Sequence, residues 1–196
     1  MGRTASISRR TAETTIELSL DLDGSGQFAI ETGVGFFDHM LSHIAKHGVF
    51  DLSVRANGDL QVDQHHTVED CGIALGEAFA QALGDKAGIV RTGHSYMPLD
   101  EALAFAAIDL SGRPYASIDL RLLGREVGGL PPDLLTHFLE SFANTLKAAL
   151  HVRTIAGEND HHKAEAAFKA LGRALDMACR VDPRRGGAVP STKGSL

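Results

Sequence analysis

One pattern, His-His-x-x-Glu-x-x-x-x-Ala-Leu-Gly, occurs twice in this chain. His65-His66-Thr67-Val68-Glu69 runs on to Ala74-Leu75-Gly76, and His161-His162-Lys163-Ala164-Glu165 runs on to Ala170-Leu171-Gly172, so that six identical residues recur 96 positions later. Self-similarity at a long period means that one structural unit is used more than once, which restricts the fold to architectures made of related parts. A weaker echo lies upstream, where Asp38-His39-Met40-Leu41 answers Thr136-His137-Phe138-Leu139 at an offset of 98. An indel of two residues between helix pairs accounts for the change. The chain therefore divides into two related halves, residues 1–90 and 91–196.

Hydrophobic periodicity supports the division. Thr15 to Leu22 alternates, with Ile16, Leu18, Leu20 and Leu22 on one face, as a half-buried strand requires. Asp23-Gly24-Ser25-Gly26 predicts a turn that returns the chain as a second strand over 27–32, and Phe50 to Arg55 predicts a third that ends at an Asn57-Gly58 turn. Phe36, Phe37, Met40, Leu41 and Ile44 carry helical spacing, and 65–83 reads as a long amphipathic helix. The second half repeats the order: strands at 102–110 and 115–121, a helix over 134–150, a strand over 151–156 and a helix over 161–179. Each half is thus strand, strand, helix, strand, helix. The expected class is α+β, a duplicated half-domain in which each half packs helices on one face of a mostly antiparallel sheet.

The repeated element also carries chemistry. Its first histidine and its glutamate are four residues apart and share a helix face, so one imidazole and one carboxylate can grip a single divalent ion. The second histidine is turned about 100° round the helix and addresses a different ion. His39 and His137 bring the inventory to six imidazoles and two carboxylates, three and one per ion. The pairing expected is His65 with Glu69 on one ion and His161 with Glu165 on the other, with His66 and His162 crossing to the opposite ion. Such a donor set suits manganese, zinc or iron, whereas calcium and magnesium prefer oxygen. His43, His47, His94 and His151 have no counterpart in the repeat, although His43 and His47 fall on the face of His39.

Cations occur at Arg91, Arg113 and Lys193, the last beside Ser191, and together they can form a phosphate pocket. Lys169 lies four residues after Glu165 and reads first as its ion-pair partner. A net charge of −6 argues against holding nucleic acid by bulk electrostatics, but a small anion needs only a local cluster. No apolar run approaches the roughly 20 residues that span a bilayer, and residues 1–10 lack the apolar stretch of a secretory signal, so the cytoplasm is the expected compartment. The two cysteines, Cys71 and Cys179, form neither a disulfide framework nor a Cys-x-x-Cys site. Glycine-rich nucleotide fingerprints and the serine-hydrolase elbow are missing.

Taken together, Arg10-Thr11-Ala12-Glu13-Thr14, Gly35-Phe36-Phe37-Asp38-His39-Met40-Leu41, Asp63-Gln64-His65-His66-Thr67-Val68-Glu69-Asp70, Asp109-Leu110-Ser111-Gly112-Arg113-Pro114, His161-His162-Lys163-Ala164-Glu165 and Pro190-Ser191-Thr192-Lys193-Gly194 closely resemble the imidazoleglycerol-phosphate dehydratases. The resemblance covers nearly the whole chain. It implies a duplicated fold of the ribosomal protein S5 domain 2-like type and a hydro-lyase of histidine biosynthesis. It also implies two Mn²⁺ ions per active site, held by His39, His65, His66, Glu69, His137, His161, His162 and Glu165. Arg91, Arg113, Lys169, Ser191 and Lys193 match the family's phosphate-binding positions, and Glu13 matches its catalytic acid/base. A homo-oligomer of 24 subunits with active sites shared between neighbours is implied as well, with no nucleic-acid or membrane partner. One position departs: the family commonly has Gln where this chain has His43, a position that contacts substrate.

On that reading the substrate is a phosphorylated imidazole diol. Glu13 serves as general base at C2, with Glu165 as the second catalytic carboxylate and divalent cations as Lewis acid and template. Two rival classes are a dinuclear metallohydrolase and a non-catalytic metal-binding oligomer. The first calls for bridging aspartates that the motifs lack, and the second leaves the Arg91, Arg113 and Lys193 cluster without a purpose.

Overall fold

Alternation of apolar and polar residues builds the sheets. A computed structural model describes residues 2–194; the outer limits of the two expected halves, residues 1 and 196, lie outside the described residues. In the first half β1 (Thr4–Arg10), β2 (Thr14–Asp21), β3 (Phe28–Glu31), α1 (Gly35–Gly48), β4 (Asp51–Gly58) and α2 (His65–Leu83) follow one another. The second half repeats this order as β5 (Thr92–Leu99), β6 (Ala102–Asp109), β7 (Tyr115–Asp119), α3 (Pro132–Leu146), β8 (Ala149–Ala156) and α4 (Asp160–Cys179). Ile16, Leu18 and Leu20 of β2 and Ala104, Ala106 and Ile108 of β6 are buried, as their period of two requires.

The sheets have one topology, β1-β2-β4-β3 and β5-β6-β8-β7, antiparallel except for the last strand of each, which runs parallel to its neighbour. Three expectations are corrected here. Each half opens with a strand that periodicity does not reveal, because β1 and β5 are edge strands in which Ala5 and Gly93 are the fully buried residues. The 23–26 turn does not close a hairpin: β3 crosses over to pair in parallel with β4, and the hairpins are β1–β2 and β5–β6. Asn57 and Gly58 belong to β4, paired with Thr15 and Thr14, rather than to a turn.

A fourth correction concerns α3, which stops at Leu146 instead of running to Leu150. Lys147 adopts a left-handed conformation (φ 56°), and its N–H returns to Ala143 and Asn144 carbonyls. Val49 ends α1 in the same way (φ 59°), 98 residues earlier. Such stops usually fall on glycine, so the side chains here conceal them.

The helices fill the space between the sheets and cross the repeat boundary. α2 lies on the first sheet and packs on α3; α4 lies on the second and packs on α1. The repeated glycine sets both crossings. A Cβ on Gly76 would lie 2.8 Å from the Phe142 carbonyl oxygen, and one on Gly172 would lie 2.9 Å from that of Ile44. Only hydrogen fits where two helix backbones approach so closely. One continuous apolar core joins the halves, and Cys71 and Cys179 are free thiols within it. Among the described residues no helix is long and apolar enough to cross a membrane.

Candidate metal centre

The glycine crossings press α1 against α4 and α3 against α2, and a group of imidazoles forms round each repeated glutamate. At Glu165, α4 supplies His161 and Glu165, and α1 supplies His39 and His43, each pair at a spacing of four on one helix face. His39 Nε2 and His161 Nε2 lie 2.9 Å from Glu165 Oε1, His43 Nε2 lies 3.2 Å from Oε2, and Lys169 Nζ lies 2.6 Å from Oε2. Burial alone would raise the Glu165 carboxyl. Hydrogen bonds from Lys169, His39 and His161 outweigh it and hold the group at about 2. Burial pushes His43 down to about 4 despite the opposing pull of Glu165.

At Glu69 the contacts are looser. His137 Nε2 lies 3.3 Å from Oε1 and His65 Nε2 lies 3.9 Å from Oε2, with the two rings 4.7 Å apart. His137 Nε2 is buried yet makes no hydrogen bond among the described residues, since its approach to Glu69 is misaligned. A buried nitrogen without a partner demands an explanation, and a cation between it, His65 and Glu69 supplies one. In each cluster, ligand atoms of three residues lie within 4.8 Å of one another. Nitrogen donors with one carboxylate fit a divalent transition-metal ion.

The second histidine of each pair turns away, so neither cluster contains both members. His66 Nδ1 donates to Asp59 at 3.0 Å and its Nε2 lies 3.6 Å from Glu13 Oε1. His162 Nδ1 donates to Glu101 at 2.7 Å and its Nε2 lies 3.8 Å from Asp100. The Asp59 and Glu101 hydrogen bonds raise the two imidazoles, and Glu101 is itself brought down to about 2, chiefly by His162. A carboxylate on Nδ1 fixes the ring and leaves Nε2 outward, the usual support of a ligating histidine. Sequence spacing does not single out Asp59 or Glu101. The available signal is that each His-His pair needs such an acceptor.

Glu13 sits in the β1–β2 hairpin, and a buried acid holds that hairpin to α2. Asp70 accepts from Arg9 at 2.9 Å and from the Thr14 hydroxyl, while Thr11 Oγ1 accepts the Glu13 and Thr14 N–H groups.

The phosphate candidates separate into two places. Lys169 stays with Glu165. Arg91, with φ 80°, donates its backbone N–H to the Ala178 carbonyl, and its guanidinium bonds Asp109 at 2.6 and 2.9 Å and the Pro190 carbonyl at 2.8 Å. That last bond anchors the segment carrying Ser191 and Lys193, where Lys193 N–H donates to Ser191 Oγ at 3.2 Å. Arg113 lies in the β6–β7 loop beyond Asp109, and its guanidinium forms no ion pair among the described residues. Ala178 is about 20 Å along α4 from Glu165 at 1.5 Å per residue. Within one chain the Arg91 group therefore does not reach the Glu165 cluster.

Residues 32–175 match the family model for imidazoleglycerol-phosphate dehydratase. A protein of that name from a Roseiflexus species is 60% identical over 194 residues, 99% of this chain and 98% of the relative. The chain belongs to the imidazoleglycerol-phosphate dehydratase family. A dehydratase from Methylorubrum extorquens is 54% identical over 99% of this chain and the whole of that protein. The crystal structure of the dehydratase from Pyrococcus furiosus in complex with (S)-C348 superposes with a TM-score of 0.84 at 37% identity, over 97% of this chain and all of that one. The structure from Staphylococcus aureus subsp. aureus N315 gives 0.83 at 35% identity, over 91% and 99%. Membership makes this chain a dehydratase, and so a lyase, built on the duplicated fold of its family.

Proposed function

We propose that the protein dehydrates D-erythro-imidazole-glycerol phosphate to imidazole acetol phosphate, a cytoplasmic step of histidine biosynthesis, using two Mn²⁺ ions per active site. The observation that carries this reading is the pair of imidazole–carboxylate clusters, one round each repeated glutamate, in a chain of the dehydratase family. Manganese held there supplies Lewis acidity and a template for the imidazole and diol.

His39, His161 and Glu165 hold one ion, and His65, His137 and Glu69 hold the other. His66 and His162, fixed by Asp59 and Glu101 with Nε2 outward, complete the shells of neighbouring copies. Arg91, Arg113, Ser191 and Lys193 of one copy meet Lys169 of another to bind the phosphate. The separation of about 20 Å along α4 supports such sharing, and with it a closed homo-oligomer of 24 chains. The halves 1–90 and 91–196 are the units of the duplication.

Remote binding of the phosphate fixes the diol against the hairpin that carries Glu13. Glu13 accepts the C2 proton, the C3–O bond breaks, and proton and hydroxyl leave as water. The enol so formed tautomerises to the ketone. Glu165, kept ionised by Lys169 and its histidines, serves as a ligand rather than a proton donor. Turnover of imidazoleglycerol phosphate by metal-stripped, assembled protein tests the whole reading: none is expected without metal, and added Mn²⁺ restores it. Absence of turnover with every divalent metal, or release of inorganic phosphate instead, would overturn it.

A further inference from the structure

The Glu165 cluster contains one imidazole more than its counterpart. Counting from the His39–His137 equivalence, the position of His43 in the first half corresponds to Ser141 in the second, which offers no imidazole and is buried against Gly72. His43 lies one turn beyond His39 on the face of α1 that packs against α4. Its carbonyl oxygen would be 3.1 Å from a Cβ on Gly172, so the glycine crossing itself presses this turn towards Glu165.

The three polar groups there crowd together, each imidazole on its own oxygen of the carboxylate. His39 Nε2 is 2.9 Å from Glu165 Oε1, His43 Nε2 is 3.2 Å from Glu165 Oε2, and the two Nε2 atoms are 3.3 Å apart. An octahedral ion with bonds of about 2.1 Å places neighbouring ligand atoms about 3.0 Å apart. Both imidazoles present Nε2, not Nδ1, to the Glu165 carboxylate, and ligand atoms of the three residues lie within 4.8 Å of one another. A ring serving only to orient Glu165 would not need its nitrogen turned to that of His39 as well.

We infer that His43 is itself a ligand of the divalent cation at the Glu165 cluster in the substrate-free protein, rather than a substrate contact alone. This rests on the reading above that the cluster holds a cation. One of the two ions then has a nitrogen-richer shell than the other, which favours borderline metals such as zinc at that position.

The test is a Mn²⁺ titration of metal-stripped, assembled protein, with free ion counted by electron paramagnetic resonance and nitrogen coupling to bound ion read by electron spin-echo modulation. His43→Gln is compared with His47→Gln, which changes the next turn of α1 without touching Glu165. Two Mn²⁺ per chain are expected for the parent and for His47→Gln. His43→Gln should weaken one of the two sites by tenfold or more and lose one coupled nitrogen, leaving the other site unchanged. Unaltered affinity and coupling in His43→Gln would overturn the inference. Weaker binding with the coupling intact would also overturn it, because His43 would then only position Glu165. A parent protein that binds no Mn²⁺ would overturn the cation reading itself.

Discussion

The clusters round Glu165 and Glu69 descend from one repeated element, yet they are unequal. Both take a histidine and a glutamate four apart from the start of a long helix and one histidine from the helix that crosses it. Round this shared frame the neighbours differ. Lys169 clamps Glu165 at 2.6 Å, where Ile73 stands at the equivalent place near Glu69, and His43 adds an imidazole where the other half has Ser141. The Glu165 cluster is consequently tied together by its own ion pairs, whereas the Glu69 cluster leaves a buried His137 nitrogen without a hydrogen bond. Duplication has preserved the positions that set backbone geometry and the imidazole–carboxylate pairs. The residues between them have diverged to give two unequal clusters, one whose carboxylate is held by an ammonium group and one that leaves a buried nitrogen without a hydrogen bond.

The largest test of that inequality removes each carboxylate. Glu165→Gln and Glu69→Gln should each cut turnover at least about a hundredfold, since outer-shell partners alone are worth about 10–100-fold. Metal analysis of the assembled variants should find one ion per chain instead of two. Apo stability should separate them. Glu165→Gln leaves Lys169 half-buried without a partner, so it should unfold earlier than its parent, while Glu69→Gln should not. If either variant lost both ions, the clusters would be one coupled unit and the comparison would fail.

The repeated glycines give the next largest effect. Gly76→Ala and Gly172→Ala both place a methyl group against helix backbone, at 2.8 and 2.9 Å, and overpacking of this kind costs about 1–3 kcal/mol. Equal losses of stability are expected by chemical denaturation. Their effects on metal binding should not be equal. Gly172→Ala displaces α1 with His39 and His43 and should weaken the Glu165 site, whereas Gly76→Ala displaces α3 with His137 and should weaken the Glu69 site. Weakening of the same site by both variants would show that the crossings do not set the clusters.

This link between glycine and site also shows where sequence reasoning succeeds. That His65 lies beside Glu69 and His161 beside Glu165 was legible because a repeat isolates them from other polar residues and because a spacing of four fixes a helix face. Within a half, the helices and central strands were legible from period alone. Strands β1 and β5 were not, since an edge strand is buried along part of one face and Gly93 gives way to α4 where an apolar side chain would have marked the pattern. The left-handed stops at Val49 and Lys147 were hidden because those side chains do not advertise the conformation. The separation of Arg91 from Glu165 follows from the course of α4 and the β5–β6 hairpin, which no short motif encodes. Asp59 and Glu101 come from turns where one acid looks like any other.

Lys169 offers a smaller and more specific effect. Its ammonium group already occupies one oxygen of Glu165, so a cation entering the cluster meets a like charge beside its ligand. Lys169→Gln should therefore raise Mn²⁺ affinity at one site of the substrate-free protein a few-fold, leave the other site unchanged, and weaken substrate binding through the phosphate. A Mn²⁺ titration followed by a KM measurement separates the two. A fall in metal affinity would mean that the ammonium organises Glu165 more than it repels the ion.

The smallest effect compares the halves away from their metal clusters. Asp51 begins β4 and accepts N–H groups from Ser25 at 2.8 Å and Gln27 at 2.9 Å, which holds its carboxyl below the ordinary range. The equivalent residue of β8 is Ala149, and there the turn into β7 closes instead through the Tyr115 N–H and the Ala148 carbonyl. Of these two equivalent turns, the one before β3 thus closes on a side chain that titrates and the one before β7 does not. A carboxyl lowered on folding adds stability above its unfolded pKa, near 4, and loses it as pH falls through the lower folded value. Asp51→Asn should accordingly lower the thermal midpoint at pH 7 by about 3 °C or less, and the deficit should shrink as the pH is taken below 4. A deficit that stayed constant with pH would assign the loss to packing of the 23–27 turn rather than to the charge of Asp51.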